Sequence, residues 1–522
     1  MTPVSSESET LAQAPHQPLW VEWLPWIIGG LFAAVVGSFA CLRVLCGNTG
    51  VFDLASYHSA LLTTFKGRFY FSYLYPSSGF LSTHFDPITL VFLPFYAVLG
   101  NSAWPVLIFS QAIAVGFGFP AVARLCRADG LSPRLSLLLV AILFFNPKLH
   151  NAAMSDFHPF LLCFPLLLWG WVFLKEGRIG AGSLCWVVAC LCKENVALTV
   201  GALGLVLALE GRKRVGLSWA AAGLVLFVVI VGLVIPSFRQ AGEGNIYIRR
   251  YSWLGATPLE MLSTLVLKPG FVAATLIGRS GMILAVFYLA MSFGLLPIFS
   301  PVRLLADLPD AAILLLANFG TMYELKAHHP TALLAVFCIA SSRGLVNLHR
   351  ELTSKPPRAS SASAAHGPPK PRLFALYCAA VLTVAVVLFY RGAYSLPFLP
   401  SARQGGVYVE ETRKAEIMFI ADRIPLDASV SLPDYLMNPI YPFIARLYIA
   451  GVPDRAEAAD YVIFDTAKGY VGRYFDDDRS PALETLESSP EHVIVYSHRG
   501  LIVVHRIKPA PRELWEHGTV LY

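Results

Sequence analysis

Charge is what this chain has least of. Of its 522 residues only 14% are Asp, Glu, Lys or Arg, and 56% are hydrophobic. An average soluble domain is about 25% charged. That deficit excludes one large water-soluble core and makes a membrane the solvent for the apolar residues. The formal net charge is only +6, and the basic residues are scattered without a common face. That distribution excludes a nucleic-acid footprint. Cysteine is absent after Cys378. No intramolecular disulfide can therefore form in the C-terminal region, whatever its compartment. The nine cysteines fall almost entirely in apolar runs, where cysteine behaves as a small hydrophobe. Residues 1–20 contain no Lys or Arg, so they lack the basic start of a secretory signal. Residues 1–23 are read as a disordered cytoplasmic tail. No HExxH, Walker A, Gly-rich dinucleotide loop or CxxC pair is present, which leaves the common soluble chemistries unsupported. No fixed-period repeat is present either.

What is there is a series of apolar runs. A helix crossing the hydrocarbon needs about 20 residues, and fewer inside a bundle. The runs predict spans over 24–46, 104–124, 135–150, 159–174, 180–193, 195–209, 215–236, 281–300, 309–321, 330–346 and 373–391. The fold class is thus a polytopic α-helical membrane protein with about eleven transmembrane helices. The block 88–99 is apolar but short and follows Pro87; it is read as a re-entrant or interfacial helix. With that block not crossing, Arg124, Arg127, Arg134, Lys175, Arg178, Arg212, Lys213, Arg214 and the basic linker fall on one side. That side is predicted to be cytoplasmic. The domains are then a transmembrane unit over 24–346 with a large outer loop at 47–103, a disordered Ser/Ala/Pro-rich cytoplasmic linker at 347–372, a last span at 373–391 and an outer domain at 392–522. In that domain 408–423 reads as an amphipathic helix, and 429–432, 461–464, 492–496 and 501–506 as strands, the last two a hairpin. Asp465 and Asp476, Asp477 and Asp478 are read as turn and surface residues.

Five polar groups collect on the predicted outer face: Asp53 with His58, His84 with Asp86, Asp156 with His158, Lys193-Glu194-Asn195, and Glu324 with His328 and His329. Pro159 makes His158 extended and starts the next helix. Asp156 is placed at or just before that helix start. Lys193-Glu194-Asn195 interrupts about thirty apolar residues, so the triplet is expected below the surface in a protein-lined cavity. Ionisable groups there are functional candidates; the plainer reading is a Lys193–Glu194 or Lys193–Asp156 pair holding helices together. Glu324 and His328 are four apart, so one helical face would carry both and suit a metal; for His329 a polar turn is the simpler reading.

Phe52-Asp53, His84-Phe85-Asp86-Pro87, Asp156-Phe157-His158-Pro159 and Lys193-Glu194-Asn195 resemble the GT-C glycosyltransferases, over about residues 25–390. They are more similar still to a related branch of bacterial predicted membrane proteins of unknown function. The resemblance implies a multi-pass protein of the bacterial inner membrane that takes a sugar from a polyprenyl-phosphate donor. It implies that Asp53 is the catalytic base and Asp156 the second acidic residue. Where lipid-A aminoarabinose and protein-mannosyl relatives place an acidic residue or Lys before Pro, this chain has His84-Phe85-Asp86. Such a transfer needs positive charge on the departing phosphate. Lys193, Arg249 and Arg250 are candidates, as is Mg2+ or Mn2+ held by Asp53, Asp156 and His158. His84, Asp86, His158, Glu194, Glu324 and His328 complete the expected substrate-binding set. Segment 237–280 would cover the site, with Tyr247, Tyr251 and Trp253 at the interface. Two other classes compete: a transporter or flippase using the same cavity, and a non-catalytic envelope assembly protein. Carboxylates placed in outer loops and the lack of inverted halves count against the transporter.

Overall fold

The computed structural model describes residues 19–45, 53–71, 79–239, 246–353, 370–393, 411–425, 428, 430–432, 448–450, 459–465 and 479–507. The expectations for 1–18, 354–369 and Asp476, Asp477 and Asp478 lie outside the described residues. Asp465, expected at a turn on the surface, is instead buried at the end of the strand Tyr461–Asp465, where its backbone pairs with Leu501.

The first apolar run is the helix Trp20–Leu45, with Glu22 in its first turn and Arg43 in its last. Both charges complement the helix dipole. It packs along Trp104–Ala128. A Cβ on Gly29 would lie 2.3 Å from the Gly116 carbonyl oxygen, so the two backbones touch there. Val196–Leu209 and Lys213–Val229 meet the same way: a Cβ on Gly216 would lie 2.4 Å from the Ala208 nitrogen. Small residues permit this approach where lipid supplies no hydrophobic drive between helices.

The count of eleven spans is not confirmed. Among the described residues five helical runs are long and apolar enough to cross: Trp20–Leu45, Pro87–Ala128, Lys213–Ser237, Thr331–Thr353 and Pro371–Gly392. The number rises to seven if two bent pairs each count once. The run expected at 135–150 breaks into Pro133–Phe144 and Pro147–Met154, bent by 52°. The cause is Pro147, which cannot continue a helix, and Asn146, whose side chain caps the second piece at the Leu149 N–H. The run expected at 281–300 stops at Ser292, because Gly294 and Leu295 both take a φ of 61°. The 88–99 block is a 3-10 turn, Pro87–Phe92, and a short helix, Leu93–Leu99, jointed through Gly100–Ala103 to Trp104–Ala128. Thr331–Thr353 runs beyond the expected end at 346, into the stretch read as linker.

The C-terminal region carries a five-stranded sheet in the order β2-β1-β3-β5-β4. Its strands are β1 Val430–Leu432, β2 Tyr448–Ala450, β3 Tyr461–Asp465, β4 His492–His498 and β5 Leu501–Arg506. β1 pairs parallel with β2 and β3, whereas β5 pairs antiparallel with β3 and β4. The β4–β5 hairpin turns on Arg499 and Gly500, both with positive φ, as a tight right-twisting hairpin requires. Helix Glu411–Ala421 lies within the expected 408–423, while β2 and helix Arg479–Ser488 had no sequence signal.

Candidate functional site

Four loops converge at one end of the bundle. Asp53 opens the helix Asp53–Phe65. Its Oδ2 lies 4.0 Å from His328 Nδ1. The His328 and His158 rings stack with centroids 3.7 Å apart, His329 follows at 4.4 Å from His328, and His84 lies 6.2 Å from His158. Local chemistry explains the gathering. His158 is extended before Pro159, and its Nδ1 accepts the Phe160 N–H at 3.2 Å, which fixes the ring. Leu325 and Ala327 both take positive φ and turn the chain so that His328 faces inward.

Lys193-Glu194-Asn195 lies between Ile179–Cys190 and Val196–Leu209. Glu194 receives the Phe85 N–H at 3.1 Å and faces His84 Nδ1 at 3.1 Å. Asp156 is bound to Arg43 at 3.1 Å, and Arg43 also donates to the Met154 carbonyl. Both carboxylates that would pair with Lys193 are therefore engaged elsewhere. Among the described residues the Lys193 ammonium has neither a hydrogen bond nor a salt-bridge partner; it stands 5.2 Å over the Phe160 ring. Burial holds the His158, His328 and His329 imidazoles well below their ordinary value, and Lys193 acts in the same direction. The rings are thus neutral at pH 7. Burial would raise the Glu194 carboxyl, but His84 and Lys193 outweigh it and hold it at about 2.

Several expected members stand elsewhere. Asp86 is fully buried and receives the Tyr57 hydroxyl at 2.6 Å and the Tyr70 hydroxyl at 2.9 Å. Burial pushes its carboxyl up to about 6 against those bonds. Asp86 thereby pins the outer loop to the helix Asp53–Phe65. His58 faces the Tyr96 hydroxyl at 2.7 Å and not Asp53, since five residues along the helix Asp53–Phe65 turn it to another face, into the core. Glu324 and His328 do not share a helical face: the helix Gly320–Tyr323 ends before Glu324, which pairs with Lys326. Arg249 is exposed, while Arg250 covers the Phe319 ring at 4.4 Å and acts on His329. Tyr251 and Trp253 turn their polar ends to the Ile313 and Leu316 carbonyls rather than to a membrane interface. The Tyr247 side chain lies outside the description.

Among the described residues no three His, Cys, Asp or Glu side chains are grouped closely enough to hold a metal ion. With Asp156 committed to Arg43, the trio Asp53, Asp156 and His158 does not form a ligand set.

Arg43 was missed as a site residue, although it is the lone charge in the predicted span 24–46. Tyr57 and Tyr70 had no signal, because their partner Asp86 is distant in sequence. The arrangement as a whole offers one partly exposed carboxylate, one ammonium without an acceptor, and neutral imidazoles between them. It suits an anionic group at Lys193 and proton removal at Asp53.

A family described as predicted membrane protein (DUF2079) matches residues 47–479. No curated protein sequence matches the chain. Two solved structures of ArnT from Cupriavidus metallidurans are similar to it, each at 15% identity and over 92% of this chain. The one bound to undecaprenyl phosphate is covered over 97% of its length with a TM-score of 0.47. The apo one is covered over 98% with a TM-score of 0.46.

Proposed function

The chain belongs to the DUF2079 family of predicted membrane proteins, and we propose that it is a GT-C-type glycosyltransferase acting at the outer face of the bacterial inner membrane. The donor is a polyprenyl-phosphate sugar and the acceptor an extracytoplasmic hydroxyl on a glycan, lipid or protein. One observation carries the reading: Lys193, with no hydrogen-bond acceptor or salt-bridge partner among the described residues, stands in the same histidine-lined cluster as the partly exposed Asp53. Asp53 takes the proton of the acceptor hydroxyl. The hydroxyl oxygen bonds to the anomeric carbon as the bond from that carbon to the phosphate oxygen breaks. The electron pair leaves on the polyprenyl phosphate, whose charge Lys193 meets. Asp156 contributes by fixing Arg43 beside the same site.

The test is release of polyprenyl phosphate from a mixed pool of polyprenyl-phosphate sugars by the purified protein, with and without EDTA. Release that collapses in Asp53→Asn supports the reading. Release from no donor, or unchanged release in the variant, overturns it. The topology has its own check: reporter fusions at Gly367 and Ser480 should give opposite signals, and equal signals end that assignment.

A transporter is the second reading, and one observation favours it. Asp307 and Asp310 are buried carboxylates inside the helical layer, which the outer-loop argument against transport did not foresee. Movement of a labelled lipid-linked solute without bond cleavage would separate it from transfer. An assembly protein would keep its phenotype without Asp53.

A further inference from the structure

The helix ends predicted to be cytoplasmic carry an open pocket of about 540 Å3, lined by the side chains of Glu22, Trp23, Trp26, Arg124, Arg127 and Glu176. The helix Trp104–Ala128, which carries both arginines, packs against Trp20–Leu45 and against Cys163–Lys175. Trp26 belongs to an aromatic cluster that ties these helices together. Its ring stacks near the Trp169 ring at 6.2 Å and meets the Phe117 ring edge-on at 5.8 Å. The Trp169 indole N–H donates to the Phe117 carbonyl at 3.2 Å. The two ion pairs of the rim differ. Arg124 gives Glu176 two hydrogen bonds of 2.7 Å, one to each oxygen. Arg127 stands 3.8 Å from Glu22, and among the described residues neither side chain has a hydrogen bond.

A largely exposed ion pair at that distance contributes little to stability. The Arg127 guanidinium keeps its donors, in the planar fork that matches a phosphate. The Glu22 carboxylate keeps its acceptors, which suit an ammonium. An anion alone would satisfy Arg127 and be repelled by Glu22, and a cation alone would do the reverse. A group that joins phosphate to ammonium satisfies both. The rim charges, two arginines and two glutamates, sum to zero, so they favour a ligand of no net charge over an anionic one. The surface beside the rim identifies the source of such a group. Trp23 and Trp26 are exposed, as are Ile27, Leu31 and Phe117 on the same two helices. Tryptophans anchor at the membrane interface, and the apolar side chains beside them fit acyl chains. Free phosphoethanolamine would leave that surface unused. We propose that this pocket binds the headgroup of a zwitterionic phospholipid of the phosphatidylethanolamine class, its phosphate on Arg127 and its ammonium on Glu22. The closed Arg124–Glu176 pair holds the opposite wall. The site is separate from the proposed sugar-transfer chemistry and does not depend on it.

The full-length protein in detergent tests this, by its melting midpoint as lipid is added in mixed micelles. A ligand that binds only the folded state raises the midpoint in a concentration-dependent way. The expected result is a rise with phosphatidylethanolamine at concentrations where phosphatidylglycerol with the same acyl chains gives none. Soluble phosphoethanolamine at the same concentrations should have no effect. Arg127→Gln should weaken the apparent affinity for phosphatidylethanolamine roughly tenfold or more. Glu22→Gln removes the carboxylate that repels an anionic headgroup, and should shift the preference towards phosphatidylglycerol. If one variant does not fold, the other decides. Equal rises with the two lipids, an unchanged response in Arg127→Gln, a wild-type preference in Glu22→Gln, or a rise with soluble phosphoethanolamine that matches the lipid overturns the assignment.

Discussion

The two ends of the bundle each hold charge inside an apolar protein, and they treat it in opposite ways. At one end Arg303, almost fully buried, donates to both oxygens of Asp129 at 2.5 and 2.6 Å, to both of Glu210 at 2.6 and 3.2 Å, and to the Ile339 carbonyl at 2.9 Å. Ser342 and Lys175 complete the two carboxylates at 2.7 and 2.6 Å. At the other end the Lys193 ammonium faces an aromatic ring and neutral imidazoles. A closed network has no capacity left for a ligand and serves to hold helix ends together. An open one keeps a cation available to an anion that is not part of the chain. The same residue types thus divide into structure and site according to whether their hydrogen bonds are complete.

Breaking the closed end should give the largest effect. Arg303→Met leaves Asp129 and part of Glu210 without compensation and should destabilise the fold by about 3–5 kcal/mol. Melting in detergent measures it; a variant that melts like wild type would show that the closed network is not what holds these helix ends.

The open end should respond in function instead. Asp53→Asn should lower turnover by a factor on the order of 10²–10⁴. As a loss at a helix start alone it should change stability by about 1 kcal/mol or less. Measuring transfer and melting on one sample separates the two. Lys193→Met comes next: donor affinity should fall about 10–100-fold, roughly 1.4–2.8 kcal/mol, with little change in melting. A loss of about 3 kcal/mol or more would instead make Lys193 a helix-pairing ion.

The smallest effect concerns pH. The folded-state Glu194 carboxyl is held at about 2, below its ordinary 4.5. It therefore contributes stability that is complete above about 4.5 and is lost as pH falls towards about 2. Glu194→Gln should remove that part of the acid transition. The neutral imidazoles of His158 and His328 act in the same sense from a higher pH, their contribution fading below the ordinary histidine range near 6.5. A pH profile identical in wild type and Glu194→Gln would refute the Glu194–His84 contact.

The sequence marked most of the open end because each member interrupts an apolar run. His158 before Pro159 and the Lys193 triplet stood out for that reason. It did not mark the closed end or the buried pair. Arg303 and Asp307 fell in the spacing between the runs 281–300 and 309–321 and Asp310 at the start of the second, and nothing local distinguishes a buried charge from one at a helix end. Glu324 misled for the related reason that spacing of four implies a shared face only while the helix continues. The positive φ of Leu325 and Ala327 ends that condition.

By itself the sequence determined that this is a membrane protein with a cysteine-free C-terminal region, because the balance of apolar and charged residues is summed over the whole chain and does not depend on who touches whom. It also determined which loops carry chemistry-bearing residues. The tertiary structure alone decided the partners: Arg43 for Asp156, His84 for Glu194, the two tyrosines for Asp86 and, among the described residues, no carboxylate in a salt bridge with Lys193. A partner outside the local stretch of chain leaves no trace in local pattern. Whether a charge is closed or open is a property of distances of a few ångströms that only the packed helices set.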